Sequence, residues 1–328
     1  MKKKKITILI TGVCGFIGSH TLDLLLKKNF NVVGIDNLST GNIHNIKHNL
    51  RKFKFIHGDI NNISNFKIGK IDIIIHLAAL ADIVPSIDSP LEYFKANVEG
   101  TIKLLEFARS KKIKKFIYSA SGSCYGDRPS IPTSENSKID TKYPYALTKN
   151  LGEQILIHWS KVYKIRYISL RFFNVYGPRS RTNSTYGAVI GVFLSQKLRN
   201  YPFTIVGTGK QKRDFLFVSD AVNAIFRSIN SKKINKIYNV GSSSPSTINY
   251  LAKLIGGKKT YIPWRPGEPN ITQANITKIK RELKWYPKVK IEEGINIVIK
   301  NIKYWKRAPL WSKNKILNAT KNWYKYLK

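Results

Sequence analysis

Sulfur and negative charge are both scarce in this chain. Its 328 residues include two cysteines, Cys14 and Cys124, and one methionine. Two thiols are too few for a disulfide scaffold or a four-cysteine zinc site, so a reducing compartment is the default and no metal is expected. Acidic residues number 19 against 57 lysines and arginines. Long apolar runs are missing too: nothing approaches the roughly 18–20 residues of a membrane span. Met1–Lys5 followed by Ile6–Thr11 resembles an export signal only in outline, because the apolar stretch is short and enters a glycine loop with no cleavage site. Aromatic and aliphatic residues, by contrast, are plentiful. With 42% hydrophobic residues, six Trp, 17 Tyr and 15 Phe, the chain is not disordered and can bury one large core or two modest ones. A soluble, cytoplasmic globular protein is expected.

A net charge of +38 raises the question of an anionic partner, whether nucleic acid, acidic lipid or a phosphorylated substrate. Lysine supplies 44 of the 57 positive side chains, scattered along the whole sequence, with Lys2–Lys5 the one tight run. Proteins that read nucleic-acid phosphates gather their charge on one face or arm and favour arginine. The abundance of Lys, Ile and Asn fits drift of a genome towards A and T, so nucleic acid is not the expected partner. Steering of an anionic nucleotide substrate is the adaptive alternative.

In the first half, short β-branched runs alternate with helical periodicities. Strands are expected at Ile6–Thr11, Asn31–Asp36, Lys52–His57, Ile71–His76, Lys115–Ala120 and Arg166–Arg171. Helices are expected at Gly15–Lys28, Leu91–Ser110 and Tyr143–Tyr163. That rhythm means a parallel sheet covered on both faces, with ligands at the carboxyl ends of its strands. After about Asn174 it breaks. Residues 176–186 read as a loop, Ala188–Arg199 as a helix, and strands around Leu216 and Ile237–Val240 are expected to return to the main sheet. Pro263–Pro269 and helices at Ile276–Leu283 and Glu292–Lys306 suggest a smaller lobe, and Pro309–Lys328 adds one more amphipathic helix.

Gly12, Gly15 and Gly18 lie in TGVCGFIGSH, after the first strand and opening the first helix. Each lacks a Cβ where a backbone must turn, approach a pyrophosphate or pack closely, and the helix start offers free N–H groups to phosphate. Asp36 ends the second strand, where a carboxylate bonds ribose hydroxyls and repels a 2′-phosphate, favouring NAD over NADP. Asp59, in HGDI, is either a contact for the adenine amine or an ordinary strand-end cap. Tyr145 and Lys149 are one helical turn apart on one face. A nearby ammonium lowers a phenol pKa from about 10, so that phenolate accepts a proton from a substrate hydroxyl. Ser121 and Ser123, after the fifth strand, are placed to bond the reacting oxygen. His76 reads better as a packed strand-end histidine than as a catalyst.

TGVCGFIGSH, DNLSTG, HLAA, NVEGT, SASGSCYG, YPYALTK, RFFNVYGP, GTGKQKRDFLFV and RPGEP follow in the order and spacing of the extended short-chain dehydrogenase/reductase family, over residues 6–306. Within it the chain most resembles the nucleotide-sugar epimerases, above all those acting at C4 of UDP-hexoses. The resemblance implies an α/β fold, a Rossmann-type doubly wound parallel sheet with a smaller C-terminal α/β lobe for the substrate. It implies an NAD-binding unit over residues 1–174 with returning segments near 214–243, a sugar-nucleotide lobe over 175–306, and an appended extension over 307–328. For the cofactor it implies Gly12, Gly15, Phe16, Ile17, Gly18, Asp36, Asn37, Asp59, Ile60, Leu77, Ala78, Ala79, Asn97, Tyr145, Lys149 and Phe172. Asn97 is expected to brace the sheet as well.

Ser121 and Tyr145 are implied at the reacting 4-hydroxyl, Lys149 at the nicotinamide ribose, and Ser123 as a helper. Asn174 is implied at a phosphate, Phe203 and Ile205 around uracil, Arg213 and Arg265 at the diphosphate, and Glu268 at the nucleotide ribose, with Val189 also lining the substrate. Thr272 stands where residue size gates N-acetyl sugars, and its small side chain leaves room for them. Dehydratases and decarboxylases of the family carry a carboxylate just after the active-site Ser or Thr, where this chain has Gly122 and Ser123. A C4 epimerase of UDP-sugars working through a 4-keto intermediate is therefore expected. The alternatives are another sugar-nucleotide reaction of the family, including on uronates that Arg179–Arg181 would suit, and a non-catalytic NAD- or RNA-binding protein. Homodimerisation through the helices at Leu91–Ser110 and Tyr143–Tyr163 is implied by the resemblance.

Overall fold

The computed structural model describes residues 5–127, 129–181 and 188–327. Strands β1 (Thr7–Thr11), β2 (Asn31–Asp36), β3 (Lys54–His57), β4 (Ile73–His76), β5 (Lys115–Ser121) and β6 (Tyr167–Phe172) fall on the β-branched runs. After them come β7 (Asn174–Tyr176), β8 (Phe203–Val206), β9 (Lys212–Arg213), β10 (Phe215–Phe217), β11 (Lys236–Val240), β12 (Ser246–Thr247) and β13 (Lys259–Ile262). The main sheet runs β11-β6-β5-β4-β1-β2-β3, parallel throughout. Its order reverses between β1 and β4, which opens a crevice at their carboxyl ends.

The helices are α1 (Phe16–Lys27), α2 (Ile83–Asp88), α3 (Pro90–Phe94), α4 (Gly100–Ser110), α5 (Pro144–Tyr163), α6 (Val189–Lys197), α7 (Val218–Asn230), α8 (Ile248–Ile255), α9 (Thr277–Leu283), α10 (Ile291–Lys300), α11 (Lys313–Ala319) and α12 (Lys321–Tyr326). Ile8 and Ile10 of β1 pack with Leu22 and Leu25 of α1 and Ala224 and Ile225 of α7. Leu9, between them in sequence, joins Leu104 and Phe107 of α4 and Leu156 of α5 on the other face. Burial on both faces explains why β4 reads as unbroken isoleucine rather than as an alternation. A separate cluster around Phe193, Phe203, Leu251, Val298 and Trp305 forms a second core, built largely from the later segments.

Several segments depart from expectation. β11 joins the sheet beside β6, but the strand at Leu216 does not; β10 pairs with β7 in a two-stranded ribbon. β11 already occupies the β6 edge, while Phe215 and Phe217 pack edge-on against Tyr176 and belong to the second core. The helix expected over Leu91–Ser110 begins at Pro90 and is interrupted by a π turn over Lys95–Glu99, where Asn97 sits. The helix expected to run to Lys306 stops at Lys300, followed by a 3-10 turn at Ile302–Trp305. The C-terminal extension is two short helices, broken at Thr320, whose hydroxyl bonds the Ile316 carbonyl. The latter part of the loop read over 176–186 lies outside the described residues, as do Lys2–Lys4 of the basic run. Among the described residues no helix is long and apolar enough to cross a membrane.

Candidate active site

β1 delivers the chain to Gly12 at φ +71°, where a Cβ would lie 2.7 Å from the Ala78 nitrogen. A Cβ on Gly18 would come 2.0 Å from the Gly12 carbonyl oxygen, so α1 packs on the loop more closely than any side chain permits. Gly15 precedes α1 in an extended conformation and no side chain caps the helix, which leaves the first-turn N–H groups at Phe16, Ile17 and Gly18 for an anion. Asp36 is nearly buried at the end of β2, its carboxylate accepting N–H bonds from Cys14 (2.9 Å) and Leu38 (2.8 Å). Burial raises its pKa and those bonds pull it back. An uncapped helix start beside a held carboxylate fits the pyrophosphate and adenosine ribose of a dinucleotide. Asp36→Ala should raise the Kd for NAD at least about tenfold, since hydrogen bonds to charged groups are worth ~1.5–3 kcal/mol each. Unchanged affinity by calorimetry would remove Asp36 from the cofactor site.

Asp59 acts as a cap: it accepts the Asn61 N–H at 2.8 Å and the Asn37 amide at 2.9 Å, fixing the turn that starts at Ile60. After β4, the N–H groups of Leu77 and Ala78 both reach the Thr11 hydroxyl, and Ala79 continues this partly buried loop. Asn97 spans the gap to α5, accepting from Leu80 N–H (2.8 Å) and donating to the Leu80 carbonyl and the Thr148 hydroxyl. His76 is locked between the hydroxyls of Thr11 (2.8 Å) and Thr101 (3.0 Å), and burial pushes its pKa down to about 3. It is the packed strand-end histidine.

β5 ends at Ser121, whose Oγ accepts the Ser123 N–H at 3.1 Å and whose side chain faces the Tyr145 phenol. Tyr145 and Lys149 stand one turn apart on α5, and the Phe172 backbone ends β6 alongside β5. The electrostatics differ from the sequence expectation. Burial raises the Tyr145 pKa, the Ser121 hydroxyl lowers it, and Asp82 and Cys124 raise it further. Lys149 lies 4.6 Å from the Tyr118 ring, and burial brings its ammonium down to about 7, with Glu153 opposing. Burial is the largest effect on both groups, and it disfavours the phenolate and the ammonium alike.

Arg213 and Arg265 come together, as implied, but through Glu268. Arg213 Nη2 donates to one Glu268 oxygen and Arg265 Nε to the other, each at 2.9 Å. The two guanidinium groups outweigh burial and hold the Glu268 carboxyl below its ordinary pKa. Its place is a bridge between the arginines. Phe203 and Ile205 are fully buried, Phe203 stacked on Phe193 at 4.7 Å, so their side chains cannot line uracil. Their apolar strand is core, which sequence cannot separate from a ligand wall. Asn174 is exposed, Val189 half-buried at the start of α6, and the Thr272 hydroxyl accepts the Asp214 N–H at 3.1 Å beside Arg213. Arg179 pairs with Asp23, and Arg181 with Asp82, so neither is arranged for a carboxylate substrate.

Sequence reasoning missed Asp82, Tyr93, Tyr143 and Glu153. Tyr93 packs edge-on to Tyr145 and donates to the Asp82 carbonyl, and the Tyr143 phenol faces Ser123. Tyr143 stands two residues before Tyr145 within YPYALTK, and Asp82 follows HLAA closely, so proximity to the motifs was the available signal.

A doubly wound sheet with an uncapped glycine turn, a ribose-type carboxylate and a Ser-Tyr-Lys cluster defines a dinucleotide-dependent enzyme of Rossmann type. Residues 8–241 match the model of the NAD dependent epimerase/dehydratase family, and the chain belongs to that family, with NAD as its cofactor. It is 36% identical over 304 residues to a putative UDP-glucose 4-epimerase of Methanocaldococcus jannaschii, covering 89% of this chain and 97% of that one. It is 33% identical to a UDP-glucuronate 4-epimerase of Thermodesulfobacterium geofontis, over 94% of this chain and 96% of that one. The solved UDP-N-acetylglucosamine 4-epimerase of Methanobrevibacter ruminantium, in complex with UDP-N-acetylmuramic acid, superposes with a TM-score of 0.86 at 34% identity, covering 92% and 98% of the two chains. The protein is an enzyme acting on UDP-sugars.

Proposed function

We propose that the enzyme inverts C4 of a UDP-hexose or UDP-N-acetylhexosamine through a transient 4-keto sugar. The observation that carries this reading is the chemistry gathered at the reacting end. Ser121, Ser123, Tyr143 and Tyr145 supply hydroxyls and Lys149 an amine, whereas the neighbouring carboxylate of Asp82 is held in an ion pair with Arg181. Elimination needs an acid to protonate a leaving hydroxyl, and Gly122 and Ser123 provide none where such a carboxylate would stand. Inversion needs a group that removes and returns one hydroxyl proton. NAD, when bound, supplies hydride acceptance and return. Tyr145 takes the 4-hydroxyl proton, Ser121 bonds the same oxygen, and Arg213 and Arg265 grip the diphosphate with planar forks.

Purified protein incubated separately with UDP-glucose, UDP-N-acetylglucosamine and UDP-glucuronate, without added NAD, should yield a C4 epimer resolved by anion exchange. No product from any of the three, even with NAD added, sinks the proposal. Thr272→Tyr should selectively slow the N-acetylated substrate, by about tenfold or more for a steric clash at one group. Thr272→Val controls for loss of the bond to Asp214, and an equal fall for both sugar classes would show that Thr272 is no gate. A uronate would require Arg181 to leave Asp82, which makes UDP-glucuronate the weakest expected substrate. Leu91, 82% exposed on α3, and the exposed Val162 and Tyr163 on α5 support pairing of two copies through these helices.

A further inference from the structure

We infer that the C-terminal extension is part of the substrate site, and that Trp323 of α12 is a positioning residue for the diphosphate-binding arginine Arg265. The indole is nearly buried, and its ring lies 5.1 Å from the Arg265 guanidinium carbon. Its Nε1 donates to the Pro266 carbonyl at 2.6 Å, anchoring the residue that follows Arg265. The ring also meets Tyr143, at 6.0 Å between centroids, and the Tyr143 phenol faces Ser123 at the reacting end. One side chain thus touches both the arginine that grips the nucleotide and the tyrosine beside the reacting sugar.

Neighbours on α12 fix that placement from two sides. Tyr324 donates to the Pro263 carbonyl at 3.0 Å, which ties α12 to the loop carrying Arg265. Asn322 donates to Asp88 at 2.8 Å at the end of α2, so α12 is also tied to the cofactor half of the molecule. The segment leading to α12 is strapped to the second core: Ser195 and Gln196 of α6 bond the Pro309 and Trp311 carbonyls, and Ile316 enters the core. Arg265 is thereby held on one face by the indole and at its Nε by Glu268. A guanidinium so fixed loses little freedom when it takes a phosphate.

The inference rests on the UDP-sugar reading, and UDP alone is the probe that separates the two. Trp323→Ala should weaken UDP binding, measured by calorimetry on the holoenzyme, about tenfold, the scale of a desolvated cation–π contact. KM for the UDP-sugar should rise by a similar factor with kcat within about threefold and NAD content unchanged. Trp323→Phe, which keeps a ring over Arg265 but loses the bond to Pro266, should bind UDP about threefold more weakly than the unaltered protein. UDP binding within twofold of the unaltered protein in folded Trp323→Ala overturns the inference, as does an equal loss of NAD. If Trp323→Ala fails to fold, Trp323→Phe decides: a weakening of about threefold in UDP affinity supports the inference, and no change overturns it. Failure of the unaltered protein to bind UDP would instead overturn the nucleotide reading and this inference with it.

Discussion

Tyr145→Phe is expected to lower kcat by about a hundredfold to ten-thousandfold, the range over which a positioned proton acceptor contributes. The variant keeps the ring that packs edge-on against Tyr93, so the fold and the grip on substrate should persist. KM for the UDP-sugar and the NAD retained by the protein should then change little, and the loss should fall on kcat. The pH profile supplies a second readout. Burial raises the Tyr145 phenol above its ordinary pKa, so phenolate grows as pH rises and the rate of the unaltered enzyme climbs with it. Tyr145→Phe should lose that rising limb. Turnover within tenfold of the unaltered enzyme would remove Tyr145 as the proton acceptor.

Glu153→Gln carries the largest expected cost in stability. Glu153 and Arg171 are both almost fully buried, facing each other from α5 and β6, with Arg171 Nε 3.0 Å from a Glu153 oxygen. Arg171 also donates to the Tyr125 phenol at 2.8 Å, which in turn donates to Asn239 on β11. Removing the carboxylate leaves a buried guanidinium uncompensated, at ~3–5 kcal/mol in chemical denaturation. The double variant Glu153→Leu with Arg171→Met should restore most of that loss, because two apolar side chains leave no buried charge. If Glu153→Gln costs less than ~1 kcal/mol, the pair is not a buried charge pair in solution. Glu153 also raises the pKa of Lys149, one turn along α5, so the variant should push that amine below about 7 and shift its titration towards acid.

The first six strands and the long helix α5 were legible because parallel strands buried on both faces leave unbroken β-branched runs, and α5 carries a clear motif. The glycine turn, Asp36, Ser121, Tyr145 and Lys149 were legible for the same reason: motif and context agree. What failed to show was set by partners distant in sequence. Leu216 reads as a strand, but that the strand leaves the main sheet depends on β11 having taken the β6 edge. Phe203 and Ile205 look the same in sequence whether they line a ligand or fill a core. Burial, the largest cause of the pKa shifts of Lys149 and Tyr145, is a property of the packed surroundings and not of the Y-x-x-x-K spacing. Trp323 lies 58 residues beyond Arg265, with no pattern joining them.

The parallel pairing of β11 with β6 has a consequence for how the chain is made. Between the end of β6 at Phe172 and the start of β11 at Lys236 lie 63 residues, which carry β7 to β10, α6 and α7. At about 5–20 residues per second, a ribosome takes several seconds to supply that length. Throughout this interval β6 is an open edge, with Ile168, Leu170 and Phe172 on one face, all buried in the finished protein, of the kind that recruits foreign strands. The long chain separation also makes this closure a slow step of folding. The nascent chain therefore has a window of vulnerability that ends when residues 236–240 emerge and dock. Variants that weaken β11 should show themselves first as poor yield of soluble protein, before any defect in the chemistry.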